Sequence, residues 1–245
     1  MLNAYLAATE NLLQNPAAPT SLYTTANLTT YINTARGQLA GEAECIRAEG
    51  TLSTVIGQRN YAFSAITLTS AAVQGAINVR RIAYAVASGR KWVTPRPWPW
   101  FDLFKLSNPV PVNGPPTTWA QYAQGAASTN VTGDPSGSFY LDPPPDAVYT
   151  LYLDCTCYPI PLAADSDPEA IPYLWTDAVP FWAAWYALMS SQNQSRMADA
   201  LRYKTMYDDF VVRARRAANP SVGRNMYEQA EDPARMGKFA PAGKQ

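Results

Sequence analysis

The spacing of apolar residues along the 245-residue chain changes twice, from helical to strand-like and back. Leu2, Leu6, Leu12 and Leu13 predict a short helix over 2–14, stopped by Asn15-Pro16 and Pro19. Leu28, Tyr31, Ile32, Ala35, Leu39 and Ile46 predict a second helix over about 25–46. Thr24, Thr25 or Asn27 is placed to cap it, and Gly37 and Gly41 weaken it while permitting close packing. From Gly50 to about Tyr158 the pattern predicts short strands: 51–55, 61–63, 77–84, 138–141 and 148–154. The last two read as a pair closed by Asp142-Pro143-Pro144-Pro145-Asp146. The proline-rich run Thr94 to Asp102 reads as unable to form regular ladder, and 114–137 as loop.

Beyond Pro159 the helical period returns. Ile171, Leu174, Trp175, Ala178, Trp182, Trp185 and Met189 form an apolar stripe with Pro172 in the first turn, and Pro180 inside it predicts a kink. A last helix over about 195–217 turns Met197, Leu201, Met206, Tyr207, Phe210, Val211 and Ala214 inward. The predicted fold is α+β: a helical bundle body (1–49 and 159–218), a β-rich insertion (50–158) and an extended C-terminal tail (219–245). That tail has too few apolar residues to offset the entropy of ordering it alone.

Composition narrows the function. Hydrophobic residues make up 47% and charged residues 16%, against roughly 25% charged in an average domain. Such a chain has a sizeable core and is expected to cover surface in an oligomer or partner. No apolar stretch approaches a membrane helix. The start lacks a positive n-region, so the protein is expected to stay in the compartment where it is made. The net charge is zero but unevenly distributed. Residues 1–105 carry nine bases and five acids, 106–195 carry eight acids and no base, and 196–245 carry ten bases and six acids. A stretch without a cation is a poor phosphate grip.

The absence of histidine excludes Ser-His-Asp and Cys-His nucleophile pairs within the chain. Cys45, Cys155 and Cys157 are too few for a four-ligand zinc site and read as buried small hydrophobes, so no metal or cofactor is expected. Asp165, Asp167 and Glu169 superficially have calcium-ligand spacing but lack the glycine and terminal glutamate of the helix-loop-helix motif; they read as a solvated loop. Glu42, Glu44, Glu49 and Asp102 supply carboxylates for a glycosidase without a spacing that selects a pair. Trp98-Pro99-Trp100-Phe101, with Trp92 and Trp119, reads as packing of the insertion or a subunit contact, and otherwise as a carbohydrate or peptide groove.

Residues 138–178 carry the most specific pattern: Ser138 to Asp146, Tyr149 to Asp154, Pro161 to Asp167, and Ile171-Pro172 leading to Trp175-Thr176-Asp177-Ala178. This pattern resembles the head-to-tail adaptor (neck, or head-completion) proteins of tailed bacteriophages. The resemblance implies a non-enzymatic virion protein, made in the host cytoplasm and located in the neck. It implies a dodecameric ring beneath the portal protein that passes the genomic DNA without specific binding and carries tail nozzle or fibre proteins. It further implies a tail that binds the portal or a neighbouring copy, with Arg224, Arg235 and Lys238 meeting acids and Met226, Tyr227 and Phe239 as apolar anchors. Asp134, Asp142, Asp146 and Asp165 then either face the channel or solvate the outer surface. A cell-wall hydrolase and a carbohydrate-binding tail module are the alternatives.

Overall fold

The computed structural model describes residues 1–15, 21–106, 112–123, 125, 137–191 and 194–218. Its helices are α1 (Leu2–Leu13), α2 (Thr25–Ala43), α3 (Trp98–Phe101), α4 (Ala178–Ser190) and α5 (Met197–Ala218). Its strands are β1 (Arg47–Ser53), β2 (Asn60–Ala62), β3 (Thr67–Leu68), β4 (Val73–Val86), β5 (Gly89–Pro95), β6 (Thr118–Ala123), β7 (Ser138–Asp142) and β8 (Thr150–Pro159).

All eight strands belong to one curled sheet in the order β2-β7-β6-β5-β4-β8-β1-β3. This overturns the expected helical bundle body with a β-rich insertion; the fold is mixed α+β, with the sheet at its centre. The reason lies in the core, where one continuous apolar cluster takes residues from both layers. Ile32, Ala35 and Leu39 of α2 and Ala183 of α4 meet Ile82, Leu151, Leu153 and Cys155 of the sheet. The long strand β4 runs antiparallel to both β5 and β8. Leu151, Leu153, Cys155 and Cys157 alternate along β8 and are all fully buried. A smaller cluster formed by Leu13, Leu28, Ala184, Leu188 and Ala200 closes the helical layer.

Local chemistry explains the element boundaries. Thr24 caps α2 by accepting from the Asn27 amide, and Glu44 ends it in the left-handed conformation. Gly37 is needed for packing, since a Cβ there would lie 2.8 Å from Tyr158 Cε1, whereas Gly41 meets nothing within 4 Å. Gly137 enters β7 so tightly that a Cβ would sit 2.4 Å from the Ala123 carbonyl oxygen. On α5, Ala200, Tyr207 and Ala214 take the buried face at seven-residue spacing. Met197 and Leu201, expected inward, are exposed.

Three further expectations are corrected. β7 and β8 do not form a hairpin: β7 pairs with β6 and β2, and β8 with β1 and β4. The proline-rich segment between them crosses from one half of the sheet to the other. Strands β5 and β6, the latter inside the expected loop, join those halves as a parallel pair. Pro95 is tolerated because Thr94 and Arg96 supply the donors, to the carbonyls of Thr117 and Trp119. The intervening residue's missing N–H would face the opposite edge. Finally, a short 3-10 turn (Tyr173–Trp175) precedes α4, which starts at Ala178. Pro180 is therefore a first-turn residue whose missing N–H needs no acceptor, and the cause of the expected kink is absent.

Candidate functional site

The loops at one end of the sheet are organised by the segment Asp142 to Tyr149. Prolines 143–145 cannot donate hydrogen bonds but leave their carbonyls free. The Pro144 carbonyl accepts from the Gly114 amide (2.8 Å), and the Pro145 carbonyl from the Gly57 amide (2.9 Å). Thr54 closes the next link: its amide donates to the Tyr149 carbonyl, and its hydroxyl accepts from the Tyr149 amide (2.8 Å). The Tyr61 hydroxyl accepts from the Val55 amide (3.1 Å), tying the loop after β1 to β2. Asp142 completes the brace. It is buried and forms ion pairs with Arg59 (3.4 Å) and Lys105 (2.9 Å), while Arg59 also donates to the Lys105 carbonyl.

This internal bracing holds large apolar side chains in solvent. Val55, Ile56, Leu103, Phe104, Val112 and Val148 are each more than half exposed, and all lie in or beside these tied loops. Single exposed apolar residues are ordinary, but six gathered in one loop cluster mark a surface made for contact. The adjoining aromatic run packs on its own neighbours. Trp98 lies 4.6 Å from the Tyr122 ring and 5.0 Å from that of Tyr140, and Trp100 lies 5.5 Å from Phe104. Trp119 is buried edge-on against Phe139, whereas Trp92 is exposed on β5.

The chemistry-bearing side chains identified in the sequence are tied into the framework. Cys45, Cys155 and Cys157 are free and buried. Burial raises all three thiol pKa values, Cys45 to about 11 and Cys157 to about 12. Glu42 accepts from the Tyr207 hydroxyl (2.9 Å), Glu44 from Asn78 (3.2 Å), and Glu49 pairs with Arg90 (2.7 Å). In the Asp165-Asp167-Glu169 loop internal donors reach each acid. Asp165 accepts from the Met1 amino group and the Asn3 amide, and Asp167 from the amides of Ala163 and Ala164. These donors hold both carboxyls below their usual range.

Glu169 meets Arg36, a fully buried arginine of α2 that the sequence reading missed. The guanidinium contacts the Glu169 carboxylate at 2.8 and 3.2 Å and also donates to the Ile160 carbonyl (2.6 Å) and to Asn33 (3.2 Å). An arginine four residues after Ile32, on the otherwise apolar face of α2, was the available signal.

Among the proposed channel acids, Asp142 carries its charge inside the subunit as a brace. Asp146 is exposed and accepts from the Tyr149 hydroxyl (2.7 Å), which pushes the tyrosine pKa up to about 12. Asp165 is exposed. Asp134 and the tail residues Arg224, Met226, Tyr227, Arg235, Lys238 and Phe239 lie outside the described residues.

The sequence matches the SU10 adaptor protein family over residues 4–230. The chain belongs to the SU10 adaptor protein family. That match covers both structural layers and the braced loop cluster of this adaptor, and it includes the first residues beyond α5. No curated protein matches its sequence. The family consists of structural phage proteins and is not an enzyme class, so the adaptor is a virion component that assembles with other virion proteins. Among the described residues, no helix is long and apolar enough to cross a membrane.

Proposed function

We propose that this adaptor is a neck subunit that closes into a dodecameric ring beneath the portal, extends the DNA channel and carries tail nozzle or fibre proteins. The observation that carries this reading is the braced apolar loop cluster. Six large side chains are kept in solvent by a buried ion-pair brace and backbone hydrogen bonds, an arrangement suited to holding a contact surface ready for a partner. The tail from Asn219 to Gln245 is proposed to make the second contact, to the portal or a neighbouring copy. The exposed Asp146, in the stretch without cations, is proposed to face the DNA passage, where a carboxylate lets a polyanion slide. Asp146→Lys is then expected to slow DNA release from assembled particles, and an unchanged release rate would remove the channel assignment.

The loop surface is tested by Phe104→Asp and Val112→Asp. Both positions are exposed, so the subunit is expected to keep its folding stability while particles lose tails or adaptor. Normal tailed particles from both variants would refute the role of this surface.

A further inference from the structure

A groove of about 680 Å³ opens between α1, α4 and α5. Its floor and walls are Leu12 of α1, Pro180 and Phe181 of α4, and Met206 and Phe210 of α5, with the Phe181 and Phe210 rings stacked 6.1 Å apart. Asp177 and Asp209 stand at its rim, and among the described residues neither carboxylate forms an ion pair. The cation there, Arg213, lies over the Phe210 ring at 4.4 Å. The groove therefore suits an occupant that brings apolar anchors together with positive charge.

The chain itself contains such a segment. Beyond Ala218, residues 219–227 read Asn-Pro-Ser-Val-Gly-Arg-Asn-Met-Tyr: one cation, Arg224, with the apolar anchors Met226 and Tyr227 and no acid. The family match continues through this segment to residue 230. From Ala218 to Tyr227 an extended chain spans at most about 30 Å, enough to cross a subunit contact. A closed ring needs a contact between two different surfaces of neighbouring copies, which favours a second copy. Tyr207, Ala214 and Ala218 lie on the core side of α5, and Arg80 of β4 donates to the Ala218 carbonyl (3.4 Å). At 3.6 residues per turn, this side is about a third of a turn from Met206, Asp209, Phe210 and Arg213.

Building on the ring reading above, we propose that Arg224, Met226 and Tyr227 of one copy dock in the α1–α4–α5 groove of the next. Met226 and Tyr227 would lie against Phe181 and Phe210, with Arg224 at Asp177 or Asp209. Such a contact is heterologous, joining one surface to a different one on the neighbour, as a closed ring requires.

The test uses the full chain with a photo-crosslinking phenylalanine at the exposed Asn11 or the half-buried Met206, both lining the groove. Two isotopically distinct preparations are mixed before assembly on portal-bearing particles, and the crosslinked peptides are identified by mass spectrometry. The expected crosslink joins the groove to a peptide containing residues 219–227 from a differently labelled copy. Asp177→Lys with Asp209→Lys is expected to lower its yield about fivefold, the upper range for exposed ion pairs. Crosslinks to the portal, to the same copy's tail or to another segment would overturn the inference, as would no crosslink in assembled rings. In each case the ring reading survives, because ring formation is scored separately on the same particles. Absence of any ring would overturn both.

Discussion

Arg36→Met removes the guanidinium that joins α2 to the segment between β8 and α4. In the native protein Arg36 has no exposed surface, and the Glu169 side chain is 12% exposed. The substitution leaves a nearly buried carboxylate that keeps the backbone amides of Ala170 and Ile171 as donors and lies beside the Tyr5 hydroxyl. It also strips donors from the Ile160 carbonyl and from Asn33. Removing one member of a buried pair typically costs about 3–5 kcal/mol. For a protein of this size each kcal/mol lowers Tm by about 2–4 °C, so a fall of about 6–20 °C is expected. Urea unfolding of the single variant and of Arg36→Met/Glu169→Leu separates the charge effect from lost packing. The double variant no longer buries an uncompensated charge and is expected to recover at least half of the loss. A loss below about 1 kcal/mol in the single variant, or a double variant no better than the single, would refute the assignment of this pair as the fastener of the loop.

Other outcomes follow from the same packing. Gly37→Ala forces a Cβ into the Tyr158 ring, so it is expected to destabilise by about 1–3 kcal/mol in urea unfolding despite alanine's better helix propensity. Gly41→Ala, which meets nothing, is expected to be neutral or stabilising. All three cysteines are expected to resist a thiol reagent at pH 8 in the native state and to react fully in denaturant, and rapid native labelling of Cys155 or Cys157 would contradict their burial. The Asp167 carboxyl is held below the ordinary 3.8 by the Ala164 and Ala163 amides. Its stabilising contribution is therefore present above about pH 4 and lost as pH falls through the lower folded value. Asp167→Asn is expected to flatten the acid limb of the stability curve, and an unchanged limb would contradict that role.

The periodic elements were legible in the sequence. Leu28, Ile32, Ala35 and Leu39 recur at helical spacing and are all buried, and Thr24, one of the three cap candidates before or among them, is the one that caps. The strands over 51–55, 77–84 and 148–154 were legible from β-branched and aromatic alternation, though β4 and β8 run longer than that signal. What escaped was non-local. β6 is six residues of mixed character, and only its parallel partner β5 and antiparallel partner β7 make it a strand. The apparent hairpin of β7 and β8 failed because a proline-rich connection looks like a turn, whereas here it crosses the curled sheet. The family pattern at 138–178 was legible. Its physical content was not: the Pro144 and Pro145 carbonyls hold two other loops, and Glu169 reaches back to an arginine 133 residues away.

The adaptor is proposed to form a ring on the portal through the braced loop cluster and its tail. A cryo-EM reconstruction of the full chain assembled with the portal protein of its own phage tests it most directly. The expected result is a closed ring of adaptor subunits on the portal axis, with Val55, Phe104, Val112 and Val148 covered by a partner. A stoichiometric complex lacking a ring, or a ring in which all four side chains remain in solvent, would contradict it.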